Sequence, residues 1–304
     1  MKQIIFSLEE KKIFKNIINI DDDLMYEKQK KFLNKKKINN FNKNIDKYYE
    51  IIKPVLFNHF KNYHQISLDK DKIEILIGFF IRRLIIILYE KWLTIEYFKK
   101  KRNEKFYYQK LIVKYPFSNC YDDNFFFNLF KKPLWNYLVY QEIINFRKPK
   151  NFVCIKNKIK KKKILIDKYT LRNRDLFKMG INKFFLYLLK KKDFFFYCTG
   201  LTKLNEIFLN FKYNGLPIFL FPIKNRFYSN ANYPERNFNF SLKKNEFINF
   251  FYKFYEKFAP SIYYEDIKKP FFYDNFDLDN KSVYTSIGHF YDLDFKRNLA
   301  WSSN

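Results

Sequence analysis

The sequence predicts an α/β protein, with a helix-rich N-terminal part followed by a part built on parallel strands. Three observations carry that reading. Ile73–Ile95, IEILIGFFIRRLIIILYEKWLTI, is the longest apolar segment, and its Ile77, Ile81, Leu84, Leu88 and Trp92 keep the spacing of one helix face. Beyond Pro149 the texture changes to short apolar runs, FVCI (Phe152–Ile155), KILID (Lys163–Asp167) and FFFYC (Phe194–Cys198), each of strand length and bounded by charges or Gly. FFFYCTG, LTKLNEIFLNFKYNG and LPIFLF then follow one another as strand, helix and strand, the order that favours parallel pairing.

Taken in order, residues 1–44 form a basic polar segment, 45–147 a helical region, 148–281 an α/β region, and 282–304 the start of a second α/β unit. In the helical region Tyr48, Ile51, Ile52, Val55, Leu56 and Phe60 make one face, and Pro54 predicts a kink or an early break. Ser67 or Asp69 is placed to cap the central helix. That helix is apolar nearly all round and is expected to be enclosed. Arg82 and Arg83 in its middle argue against a bilayer, where each central charge costs at least about 2.5 kcal/mol. Tyr121–Phe146 reads as two short helices meeting at Pro133, with Trp135, Leu138, Val139 and Ile143 facing inward. Asn182–Leu189 looks helical, and Thr199 or Thr202 caps the helix that Gly215 stops. Lys244–Phe258 forms a further helix, and Ser282–Ser286 a last short strand.

The chain has 304 residues, enough for one large or two ordinary domains. It carries 59 Lys+Arg against 31 Asp+Glu, a formal charge of +28, together with 40 Phe and 25 Tyr. Such a charge concentrates polyanions, and the aromatics could stack bases. The rival account is compositional: Lys, Asn, Ile, Phe and Tyr rise together, as an AT-rich genome would make them. Under the nucleic-acid alternative the chain is a basic, non-enzymatic RNA- or ribosome-associated protein, with Lys28–Lys37 and Lys158–Lys163 as its contact segments. Cys120, Cys154 and Cys198 are far apart and form neither a disulfide framework nor a zinc site. With Glu9, Glu10 and Lys11 interrupting the first apolar residues there is no signal-peptide pattern, so a cytoplasmic location is expected. Basic faces leave room for attachment to a membrane surface.

Five glycines, scattered at Gly78, Gly180, Gly200, Gly215 and Gly288, cannot build a phosphate cradle, and no metal cluster or nucleophile elbow is present, so no metal and no cofactor are expected. Gly200 is read as a turn. Arg82 and Arg83 have the fork geometry to hold a phosphate, although pairing with acids such as Glu74 or Glu90 is the more economical reading. Thr285, Ser286 and His289 follow the last strand, where open α/β sheets take their ligands, against the plainer reading that they cap a turn. His59 and His64 read as helix-surface and loop residues. Asp21-Asp22-Asp23 reads as a solvated acidic run. The catalytic residues are not identified by the sequence.

Three blocks resemble a family of transferases from bacterial surface-carbohydrate gene clusters. The first runs from Tyr48 to Ile95 and matches through His64, Ser67, Ile77-Gly78, Leu88-Tyr89-Glu90 and Leu93-Thr94-Ile95; Phe79-Phe80 stands where the family has Pro-Trp. The second matches a Trp-Asn-Tyr-x-Leu-Tyr pattern through Trp135, Asn136, Tyr137 and Tyr140, and the third is SVYTSIGHFYDLDFKRNLAW. The resemblance implies a Rossmann-like parallel sheet and the first half of a two-Rossmann, GT-B-like glycosyltransferase. It implies a nucleotide-sugar donor, a saccharide acceptor, a role in surface-polysaccharide or lipopolysaccharide assembly, and a cytoplasmic site peripheral to the inner membrane. The family's His-Gly-Gly loop is not in the chain, which implies an N-terminal portion lacking the donor-binding half.

Overall fold

The computed structural model describes residues 35–65, 69–101, 103–109, 126, 133–155, 177–178, 180–181, 184–185, 187–188, 194–196, 201–215, 236–260, 263–264 and 282–284. Helices dominate them, with two parallel pairs of strands. KILID, LPIFLF, Gly200, Ser67 and Asp21-Asp22-Asp23 lie outside the described residues.

Helix α1, Lys35–His64, turns Ile45, Tyr49, Ile52, Leu56 and Phe60 into the core at helical spacing. The break predicted at Pro54 does not occur, and Pro54 lies inside the helix. It sits on the exposed side, where water can take the carbonyl left open by the missing N–H.

Helix α2 starts under Asp69, whose carboxylate accepts the Lys72 N–H at 2.8 Å. It runs as α-helix over Lys70–Ile73, widens to a π turn over Glu74–Gly78, and continues as α-helix over Phe79–Lys100. Ile73, Ile77, Ile81, Leu84, Leu88, Trp92 and Ile95 form its buried line. Enclosure on nearly every side, which the apolar run predicts, is not found. Ile75, Arg82, Arg83 and Ile86 are exposed, because the packed helices leave one strip of α2 open.

Helix α3, Pro133–Arg147, opens on its proline and buries Trp135, Leu138, Val139 and Ile143 as expected. Helix α5, Glu246–Phe258, is capped by Asn245, which accepts the Phe247 and Ile248 N–H groups at 2.9 and 3.2 Å. Aromatic rings weld these helices together. Trp92 meets Phe250 at 5.5 Å, Trp135 meets Phe258 at 5.6 Å, and Phe80 meets Phe126 at 5.4 Å between centroids. Each pair adds about 0.5–1.5 kcal/mol beyond the area it buries.

Arg147, at the end of α3, closes the bundle. Its guanidinium is ion-paired with Glu96 of α2, reaches Glu246 of α5 at 3.1 Å, and lies 4.3 Å from the centre of the Trp92 ring. The side chain is 6% exposed. Burial pulls its pKa down, and Glu246 opposes that shift.

Strand β1, Phe106–Gln109, pairs in parallel with β2, Phe152–Ile155, in the register Phe106 to Phe152. The sequence marks β2 but not β1, whose four residues lie in a polar stretch. Strand β3, Phe194–Phe196, pairs in parallel with β4, Ser282–Tyr284, while helix α4, Lys203–Asn214, is capped by Thr202 and stopped by Gly215 at φ 68°. Residues 180–181, 184–185 and 187–188 are helical.

His59 and His64 depart from their expected surface positions. Both belong to α1 and face an aromatic cluster: the His59 ring lies 4.3 Å from Phe238, 5.1 Å from Phe240 and 5.8 Å from Tyr264. His64 Nε2 donates to the Tyr263 carbonyl at 2.7 Å. Burial lowers the His59 pKa, and nearby His64 lowers it further.

Two stability outcomes follow. Arg147→Met strands Glu96 and frees α5 from α3, so urea unfolding should show a loss of about 3 kcal/mol. Because the folded state holds His59 below its ordinary value near 6.5, the stability it contributes is full above about pH 6.5 and falls as pH drops from there toward the lowered pKa. The urea midpoint should therefore fall between about pH 7.5 and 5, and His59→Phe should flatten that fall.

Candidate functional site

On the open side of α2, two polar stripes meet. Asp46, Tyr49 and Lys53 stand three and four residues apart on α1; Glu74, Gly78 and Arg82 stand four apart on α2. The π turn sets where Glu74 and Gly78 lie on their helix, a local form that recurs at functional sites. Tyr49 Oη donates to Glu74 at 2.6 Å, and Lys53 Nζ reaches the other carboxylate oxygen at 3.1 Å. Arg82 pairs with Asp46 at 2.5 Å and lies 5.6 Å from the centre of the Tyr49 ring.

Gly78 makes room for this arrangement. A Cβ there would stand 2.8 Å from the Tyr49 hydroxyl and 3.1 Å from the Glu74 side chain. Burial, then the hydrogen bond and charge of Glu74, push the Tyr49 phenol well above its usual pKa and keep it a donor. Burial acts to lower the Lys53 ammonium, but the bond and charge of Glu74, with Glu50 beyond, outweigh it and raise the net value. The carboxylate is thus held at both oxygens with its side chain still 44% exposed, and the Arg82 guanidinium, eight residues further along α2, is 49% exposed. Such a pair of groups can accept a proton and hold a phosphate within one surface.

Of the residues the sequence singles out, Arg82 and Arg83 are exposed on α2. Arg82 takes Asp46 as partner instead of Glu74 or Glu90, because Asp46 lies directly across on α1. Thr285, Ser286 and His289 lie outside the described residues. Asp46, Tyr49 and Lys53 carry no motif. Their helical spacing is shared with many other polar residues of α1, so the sequence does not single them out. Among the described residues no group of three His, Cys, Asp or Glu side chains could hold a metal ion, and no helix is long and apolar enough to cross a membrane.

No curated protein and no solved structure is significantly similar to the chain. The family model of the LIC12162 family transferases matches residues 22–303, which takes in α1 to α5 and all four strands. A transferase acts on a donor and an acceptor. The chain belongs to the LIC12162 family of transferases.

Proposed function

We propose that the chain is a glycosyltransferase-like enzyme of surface-polysaccharide or lipopolysaccharide assembly, moving a sugar from a nucleotide-sugar donor to a saccharide acceptor. The observation that carries the reading is the Glu74 carboxylate, fixed by Tyr49 and Lys53 yet open to solvent, on the same helix as the exposed Arg82. Membership of a transferase family favours it over the nucleic-acid reading. The parallel β3 and β4 strands with α4 are in keeping with a Rossmann-like unit of a GT-B-like architecture.

In this reaction Glu74 takes the proton of the acceptor hydroxyl. The freed oxygen attacks the anomeric carbon, the bond from that carbon to the diphosphate oxygen breaks, and the electron pair leaves with the nucleoside diphosphate. Arg82 and Arg83 face the departing charge, with Arg82 exchanging Asp46 for phosphate. Thr285, Ser286 and His289 follow β4 in the chain and are proposed as further donor contacts. Helix α1 contributes the positioning groups: Tyr49 and Lys53 orient Glu74.

The test is release of nucleoside diphosphate by the full chain from a panel of nucleoside-diphosphate sugars with oligosaccharide acceptors. Glu74→Gln keeps the shape and one acceptor oxygen for Tyr49 or Lys53 but cannot take a proton, and should lower kcat by about a hundredfold or more with little change in KM. Arg82→Gln should raise the donor KM about tenfold or more. Gly78→Ala should act like a milder Glu74 variant, since the added methyl displaces the Tyr49 hydroxyl. Absence of turnover with every donor, or full kcat in Glu74→Gln, overturns the assignment.

A further inference from the structure

Helix α4 is amphipathic with its apolar side turned outward. The face toward β3 is polar: Glu206, Asn210 and Asn214 are buried at four-residue spacing. Asn210 accepts the Phe196 N–H at 2.9 Å and donates to the Phe196 carbonyl at 2.9 Å, so this polar side is held by strand backbone. The opposite side carries Leu204, Phe208 and Phe211, one stripe at spacings of four and three, exposed at 78%, 62% and 55%. Lys203 and Lys212 are exposed on the same helix. Phe177, Phe184 and Tyr187, also helical, are exposed at 70%, 59% and 70% and repeat the chemistry.

A stripe of large apolar side chains held out to water by a polar inner face marks a contact surface. Charge decides the occupant. The chain carries a formal +28, so a second copy meeting this face brings like charge against like charge, whereas an anionic bilayer attracts both the whole chain and the lysines of the helix. A helix with an apolar stripe flanked by lysines is also the form that lies in the interface between headgroups and acyl chains. We infer that Leu204, Phe208 and Phe211 of α4 insert into the surface of an anionic lipid bilayer, with Lys203 and Lys212 on its headgroups, docking the protein peripherally. The inference is independent of the sugar-transfer reading, since its residues lie on a different helix from Glu74 and Arg82.

Co-sedimentation of the full chain with vesicles tests it, using equal parts phosphatidylcholine and phosphatidylglycerol against phosphatidylcholine alone. Binding is expected to the anionic vesicles, to weaken with added salt, and to fall roughly tenfold or more in the triple variant Leu204→Ser, Phe208→Ser, Phe211→Ser. Phe208→Trp gives a second readout that leaves the stripe apolar: its added emission should shift to the blue on mixing with anionic vesicles. Binding by the triple variant equal to that of the unmodified chain, no blue shift in Phe208→Trp, or an unmodified chain that dimerises through this stripe in sedimentation velocity and ignores vesicles would each overturn the inference. Loss of vesicle binding with sugar transfer intact in the triple variant separates this surface from the Glu74 site.

Discussion

One buried guanidinium fixes the helical bundle. Arg147 is held by carboxylates from two other helices, and Trp92 roofs its flat face. A charge so enclosed is tolerated only when its partners are close, so α2, α3 and α5 must meet at one separation and one rotation. Apolar packing alone is less exacting, because many arrangements of Phe and Leu bury similar area. Arg147 selects one of them. In doing so it settles which strip of α2 is left open, and that strip carries Arg82 and Glu74.

The polar surface between α1 and α2 is therefore a consequence of the core behind it. Ile73, Ile77 and Ile81 hold α2 from within, buried Gly78 lies under Tyr49, and Glu74 and Arg82 reach the open side. Tyr49 belongs to both regions: its ring is buried in the core, and its hydroxyl leaves the core to reach Glu74. The Lys53 and Arg82 pairs are largely exposed and add little to stability. Their value is in direction, since they fix where a carboxylate and a guanidinium point.

What was legible in the sequence was what repeats along a helix. The inward faces of α2 and α3 follow directly from spacing, as does the stop at Gly215; the sequence leaves two candidates for each N-cap, Ser67 or Asp69 and Thr199 or Thr202, of which Asp69 and Thr202 cap their helices. The strands Phe152–Ile155 and Phe194–Phe196 could be found as short apolar runs between charges. What escaped depends on contacts between distant parts of the chain. Strand β1 is defined by its pairing with residues more than forty positions later, and nothing in FYYQ announces that. Arg147 looks like an ordinary basic residue ending a helix, and its burial is set by Glu96 and Glu246 together. Pro54 misled because a helix can carry a proline on its wet side. Arg82 was visible as a charge in an apolar run, but its partner, Asp46, belongs to another helix. The π turn leaves no spacing cue beyond the Gly that closes it.

Asn210 has a further effect on the β3 edge. Its carboxamide oxygen accepts the Phe196 N–H and its NH2 group donates to the Phe196 carbonyl, the same pair of bonds a neighbouring strand would make. Unpaired backbone groups on a strand are otherwise a template for an extended segment of another chain. By imitating one residue of a strand, Asn210 occupies both backbone groups of Phe196. The polar inner face of α4 thus keeps those two groups from pairing with another strand.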